Sequence, residues 1–226
     1  MAYYYPCVPT QWMQAGTGLC SFRLKVEGKG RANAQPDMAI VVLGVVSENK
    51  QLRAAQEENA DVMAAVLRTL GEMGISSLDI KTISYTVYPQ YDYVEGQQVF
   101  RGYRVEHMLE VTIREVDTIG AVVDAAVQSG VNQVSSIRFS VSDSSAYYQQ
   151  ALDAAVDDAF GKVRTLGEKL KIAVLQVPVQ IIEMGSEPAV PEPLAYQAAA
   201  VATPVQAGTV EITARIEAIF AYMPVP

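Results

Sequence analysis

Two hydrophobic periods alternate along the chain, and the points where one gives way to the other mark its elements. Residues 22–27 alternate apolar and polar as a strand does, and Gly28-Lys29-Gly30 interrupts them where a bulge or bend fits. Pro36-Asp37 marks a turn. The run from Ala39 to Val46 holds no polar side chain, which predicts a strand over 38–46 covered on both faces and central in its sheet. From 49 to 74 the period turns helical: Ala55, Asn59, Val62, Val66, Leu70 and Met73 share one stripe, with Glu57, Glu58, Asp61 and Arg68 mostly opposite. Gly74 stands where a left-handed C-terminal cap belongs. A strand over 81–88 ends near Pro89, and 90–98, rich in Tyr, Asp and Gly, reads as a projecting hairpin loop.

Alternation is clearest over 102–114, where Tyr103, Val105, His107, Leu109, Val111 and Ile113 face one way and Arg104, Glu106, Glu110, Thr112 and Arg114 the other. Val116, Ile119, Val123, Ala126 and Val127 form a short helix stopped at Gly130, and 133–141 is a further strand. Ser142-Asp143 supplies an N-cap for a long helix over 144–170, with Leu152, Val156, Phe160, Val163, Leu166 and Leu170 as its stripe. A strand over 172–183 follows. The segment 184–204, with Pro188, Pro191, Pro193, Pro204 and an Ala-rich middle, reads as a long exposed loop. The last strand, 209–222, alternates strictly, with Val210, Ile212, Ala214, Ile216, Ala218, Phe220 and Tyr222 on one side. The order ββαββαβαββ predicts an α+β fold: antiparallel-rich sheets with helices packed on one face, containing ferredoxin-like βαββαβ elements.

Composition narrows the chemistry. The 226 residues, half of them hydrophobic, are enough to build one large or two small cores, so wholesale disorder is excluded. A net charge of −8 with no basic face argues against nucleic acid as a partner. One His and two Cys rule against the usual zinc, haem and iron–sulfur arrangements, so no metal and no cofactor is expected. Residues 1–20 form an irregular leader lacking the basic and apolar regions of a signal peptide, which reads as cytoplasmic unless a leader was removed. No run approaches the roughly 20 apolar residues of a spanning helix. Cys7 and Cys20 are too far apart for a redox pair; they are two free thiols, or one disulfide if the protein is exported.

Candidate reactive groups have plain structural accounts. His107, the sole histidine, would have to serve any Ser/His/Asp or Cys/His mechanism, but its parity puts it on the core face among Tyr103, Leu109 and Val111. Gly28-Lys29-Gly30 lacks the GK[ST] of a phosphate loop and precedes a strand where a helix is needed. Glu57-Glu58 and Asp157-Asp158 diverge by about 100° on their helices, so neither pair can serve one substrate, and solvated helix faces explain them. No catalytic residue and no enzymatic activity is expected. Tyr85, Tyr88, Tyr91, Tyr93 and Tyr103 concentrate around the hairpin. Half-buried sheet packing is one account; the sharper one makes Tyr88, Tyr91, Tyr93 and Tyr103 an interface, because Tyr supplies contact area at low entropic cost. Tyr3-Tyr4-Tyr5-Pro6 and the stretch 187–193 are further docking candidates.

The succession VEGKGRANAQPDMAIVVLGV, LGEMGISSLDIKT, YPQYDY, GYRVEHMLEVTIRE and AAVQSGVNQVSSIRFSVSD, closed by an alternating strand, resembles the SIMPL-domain, YggE-like family over 22–222. The resemblance implies an α+β fold in two parts, here a larger discontinuous part over 21–76 and 142–226 and a smaller inserted part over 77–141. It also implies assembly into ring-like or channel-like oligomers and a link to the bacterial envelope and oxidative-stress defence. No catalytic residues come with it. The expectation is therefore a non-enzymatic, self-associating protein, the alternative being a small-molecule or peptide-binding module using the cleft between the two parts, its ligand unidentified.

Overall fold

The computed structural model describes residues 22–185 and 205–224. Their elements run β1 (Phe22–Ala34), β2 (Met38–Asn49), α1 (Leu52–Glu72), β3 (Ile80–Val94), β4 (Gln97–Ile113), α2 (Ile119–Gln128), β5 (Gln133–Ser140), α3 (Ser145–Leu170), β6 (Ile172–Val174), β7 (Gln180–Glu183) and β8 (Val210–Pro224). The fold is α+β, with antiparallel sheets. Contacts group the described residues into a terminal unit, 22–32 with 145–185 and 212–224, and an inserted unit, 33–144 with 205–211.

In the inserted unit the strands lie in the order β3-β4-β2-β5, all pairs antiparallel. β2 is central, as its apolar run requires. Ala39, Val41, Leu43, Val45 and Ser47 are buried on one face, while most of the other face is only half-buried. α1 turns Met63, Val66 and Leu70 onto that buried face and α2 adds Ile119, Val122, Val123 and Ala126, one core of branched aliphatics. Asn59, buried on α1's inner stripe, donates from Nδ2 to Val45 O at 3.0 Å, with longer contacts to Ser47 Oγ and Val105 O at 3.4 Å. Gly74 (φ +83°) and Gly130 (φ +113°) end α1 and α2 in the left-handed region only glycine enters freely.

The terminal unit has a sheet ordered β1-β8-β6, with β7 pairing β8 as well. α3 packs on it, and the contact is unlike that under α1. β1 runs unbroken through Gly28 and Gly30, so these glycines do not interrupt the strand. They let the helix approach: a Cβ on Gly28 would lie 2.1 Å from Ala155 O, and one on Gly30 1.9 Å from Ala151 O. The helix meets the sheet through Ala151, Ala155, Ala159 and Val163, all buried, while Leu152, Val156, Phe160 and Leu166 flank the line and Leu170 is exposed. At so short a separation only small side chains fit beneath the axis.

Three further segments differ from the sequence reading. Residues 172–183 form two short strands on one side of β8, separated by a turn containing Pro178. Ser142 does not cap α3; its backbone N–H (2.7 Å) and its hydroxyl (2.5 Å) both donate to the Asp37 carboxylate, which holds that carboxyl below its usual value and clips the β1–β2 turn to the chain leaving β5. Pro89 does not end β3. That strand continues to Val94 because it is the sheet's edge, where a missing N–H leaves no ladder bond unmade.

Candidate functional site

The segment read as a hairpin loop is a two-stranded arm. β2 pairs with β4 only as far as Asn49 opposite Tyr103, and beyond that rung β3 and β4 pair with each other alone, from Pro89–Tyr103 to Val94–Gln97. Glu95 (φ 52°) and Gly96 (φ 81°) close the arm, both left-handed as a two-residue hairpin turn of primed type requires. Glu is an uncommon first residue of that turn, so the sequence signal is weak.

The two faces of the arm differ in chemistry. One carries Tyr91, Phe100 and Tyr103 edge to face, with ring centroids 5.8 Å and 5.2 Å apart, and Tyr93 beyond them. Tyr91 is 46% exposed, Phe100 45% and Tyr93 77%, whereas Tyr103 is half-buried. Tyr88 falls on the opposite face, opposite Arg104. Of the four residues expected at an interface, three therefore share one face and Tyr88 does not. Charges collect at the root: Glu48 takes Arg101 and Arg104 at 3.1 Å each, Arg101 also reaches Asp92 at 3.8 Å, and Arg104 reaches Glu106 at 3.9 Å. These pairs tie the arm to the end of β2, although each exposed pair contributes little on its own.

Further along the same face the aromatic row continues through Tyr85 and His107, rings edge to face with centroids 5.3 Å apart. His107 is not in the core as its parity suggested; it is half-buried on the wall of a groove of about 390 Å³ between α1 and β3. α1 centres on β2 and β4, so the sheet face at β3 lies at the edge of its cover. Leu67, Gly71, Ile75, Ile80 and Thr82 complete the walls. Thr82 Oγ1 is 3.3 Å from His107 Nε2, and partial burial lowers the imidazole pKa from 6.5. His107 has neither a carboxylate to orient it nor a nucleophile against it in its recorded contacts, so the geometry of a catalytic triad is not assembled.

The remaining candidates are tethers. Asp158 accepts from Lys29 N at 2.8 Å and Lys162 Nζ at 2.6 Å, while the same ammonium donates to Glu27 O at 2.8 Å, binding α3 to β1 beside a shallow hollow of about 570 Å³. The Lys162 ammonium first and the Lys29 N–H second hold the Asp158 carboxyl below its usual value. Glu57 pairs with Arg53 at 2.7 Å. Among the described residues no group of three or more His, Cys, Asp or Glu could hold a metal ion, and no helix is long and apolar enough to cross a membrane. Cys7, Cys20, Tyr3-Tyr4-Tyr5-Pro6 and 187–193 lie outside the described residues. Sequence reasoning passed over Asn132, whose side-chain amide accepts from Val46 N at 2.8 Å and donates to Val46 O at 2.7 Å, imitating one more rung of β5 on β2.

Known proteins share this sequence. Residues 24–220 match the SIMPL family, described as a protein of unknown function (DUF541). The 26 kDa periplasmic immunogenic protein of Brucella melitensis is 33% identical over 178 residues, 76% of this chain and 70% of that protein. The uncharacterized protein YggE of Escherichia coli K12 is 29% identical over 139 residues, 62% of this chain and 56% of that protein. YggE of Edwardsiella ictaluri is 24% identical over 200 residues, 85% of this chain and 84% of that protein. With the match running from β1 to β8, the chain belongs to the SIMPL family.

Proposed function

We propose that this chain works as a non-enzymatic protein that assembles with copies of itself, and that the β3–β4 arm makes the contact. The observation that carries this reading is the arm's exposure of Tyr91, Tyr93, Val94, Val99 and Phe100 on a ribbon only two strands wide. Such a ribbon is marginal in water by itself, and an exposed aromatic cluster of this kind is the usual signature of a surface that another protein covers. An envelope location belongs to the same proposal; its support is the periplasmic location in the name of the Brucella relative.

Light scattering behind size exclusion tests the assembly. The full chain at tens of micromolar is expected as a defined multimer, and Tyr93→Ser/Phe100→Ser as a folded monomer by mass and circular dichroism. A monomeric wild-type chain at that concentration overturns the proposal.

A further inference from the structure

The aromatic row and the groove form one continuous lane along the inserted unit, and its ends differ. Tyr93 stands out at one end; at the other, the groove opens between α1 and β3. By strand alternation Pro89, Tyr91 and Tyr93 face the same way as Gln98, Phe100 and Tyr103, and none is charged. Helical spacing puts Ala60 and Ala64 on the flank of α1 that carries Leu67 and Gly71; all four are exposed and uncharged, and a Cβ at Gly71 would meet nothing within 4 Å.

We infer that two copies meet face to face along this lane about a twofold axis near Val87, so that Tyr93 of each seats in the groove beside Leu67 and Gly71 of the other. The inference rests on the self-assembly proposed above and names its surface. Three features select a second copy as the occupant. The chain carries a net charge of −8, so like copies need a neutral surface to meet, and both halves of the lane are free of charged side chains. Val87 lies six residues from Tyr93 and five from Thr82, so a half-turn about it superposes the arm of one copy on the groove of the other. The fourteen residues from Ile80 to Tyr93 span roughly 45 Å, and two strands are about 10 Å wide, so the paired lanes bury on the order of 900 Å². That is close to the roughly 1,000 Å² from which specific interfaces start, and fits a concentration-dependent dimer within a larger assembly. The step between α1 and the β3 edge is where the arm lies, and the ring of Tyr93 covers apolar walls with its hydroxyl towards Thr82 and His107.

Cross-linking tests the pairing in the full chain carrying Cys7→Ser and Cys20→Ser. Tyr93→Cys and Gly71→Cys are made as separate variants, checked for folding by circular dichroism, mixed and oxidised. A disulfide-linked heterodimer is expected from the mixture and from neither variant alone, since positions 93 and 71 are too far apart along the lane to close within one copy. Leu67→Glu in the otherwise native chain is expected to weaken association at least tenfold without loss of secondary structure. A wild-type multimer whose mixed variants do not cross-link, or whose Tyr93→Cys copies link to each other instead, overturns this pairing and leaves self-assembly standing. The same holds for a multimer indifferent to Leu67→Glu. A monomeric wild-type chain overturns both.

Discussion

Both units lay helices on an antiparallel sheet, but they do so with different materials. Under α3, glycines of β1 meet alanines of the helix, and the main chains nearly touch. Under α1 and α2, Leu43, Val66, Leu70, Leu109 and Ile113 interdigitate and hold the layers apart. In the first contact the separation is set by backbone atoms, which cannot rotate away. In the second it is set by side chains, whose removal leaves a hole the sheet cannot collapse to fill. The terminal unit is therefore intolerant of enlargement and the inserted unit of truncation.

The sharpest way to break that contrast is Gly30→Val. A side chain there points at Ala151 O and Ala155 N, and we expect a loss of about 4 kcal/mol or more in urea unfolding, at the exceptional end for one substitution. A Gly30→Val protein as stable as wild type would mean that α3 does not sit this close. Leu43→Ala, the opposite manipulation in the other unit, should cost about 3 kcal/mol, of which part is cavity. Ala155→Gly removes one methyl from the close contact and adds backbone freedom, and about 1 kcal/mol is expected. A loss as large as that of Leu43→Ala would erase the distinction.

The smallest effect is acid-linked. Burial holds the His107 imidazole below its ordinary 6.5, so the unfolded chain takes up its proton first as pH falls. The contribution is intact above pH 6.5 and lost as pH drops through the lower folded value; His107→Asn should flatten that part of the stability profile. Asp37 acts in the same direction at more acid pH. Its carboxyl, lowered by the two Ser142 hydrogen bonds, contributes above 3.8 and loses that contribution on protonation. A second inflection surviving in Asp37→Asn would assign it elsewhere.

The same contrast explains which parts of the fold the sequence discloses. The α1 stripe of Ala55, Asn59, Val66 and Leu70 is legible because large side chains at helical spacing mark the buried face directly. For α3 the same rule selects Leu152, Val156, Phe160 and Leu170, one position beyond the alanines that make the closest contact. Hydrophobicity scales weight size, and the tightest packing uses the smallest residues. Gly28 and Gly30 show the same limit from the strand side, since glycine signals both a bend and a close approach. In the candidate site the tyrosines stand out in the sequence, but their separation onto two faces depends on the extra residue at Arg101, where Gln90 pairs with Gly102 and Tyr91 with Phe100. One unpaired residue changes the parity of everything beyond it, and no local preference announces it. The groove escapes for another reason: its walls, Leu67 and Ile80, come from elements whose neighbourhood only the tertiary fold decides.

Asn132 carries a consequence for isotope exchange. Where β5 gives out, Val46 would present an open N–H and C=O along the flank of β2, yet one carboxamide engages both. The Val46 amide should then trade its proton for deuterium as slowly as its neighbours inside the ladder, although no strand lies beside it there. Asn132→Ala would turn that single amide into a fast exchanger while leaving the rest of β2 protected, and would reopen a site at which a foreign strand could attach.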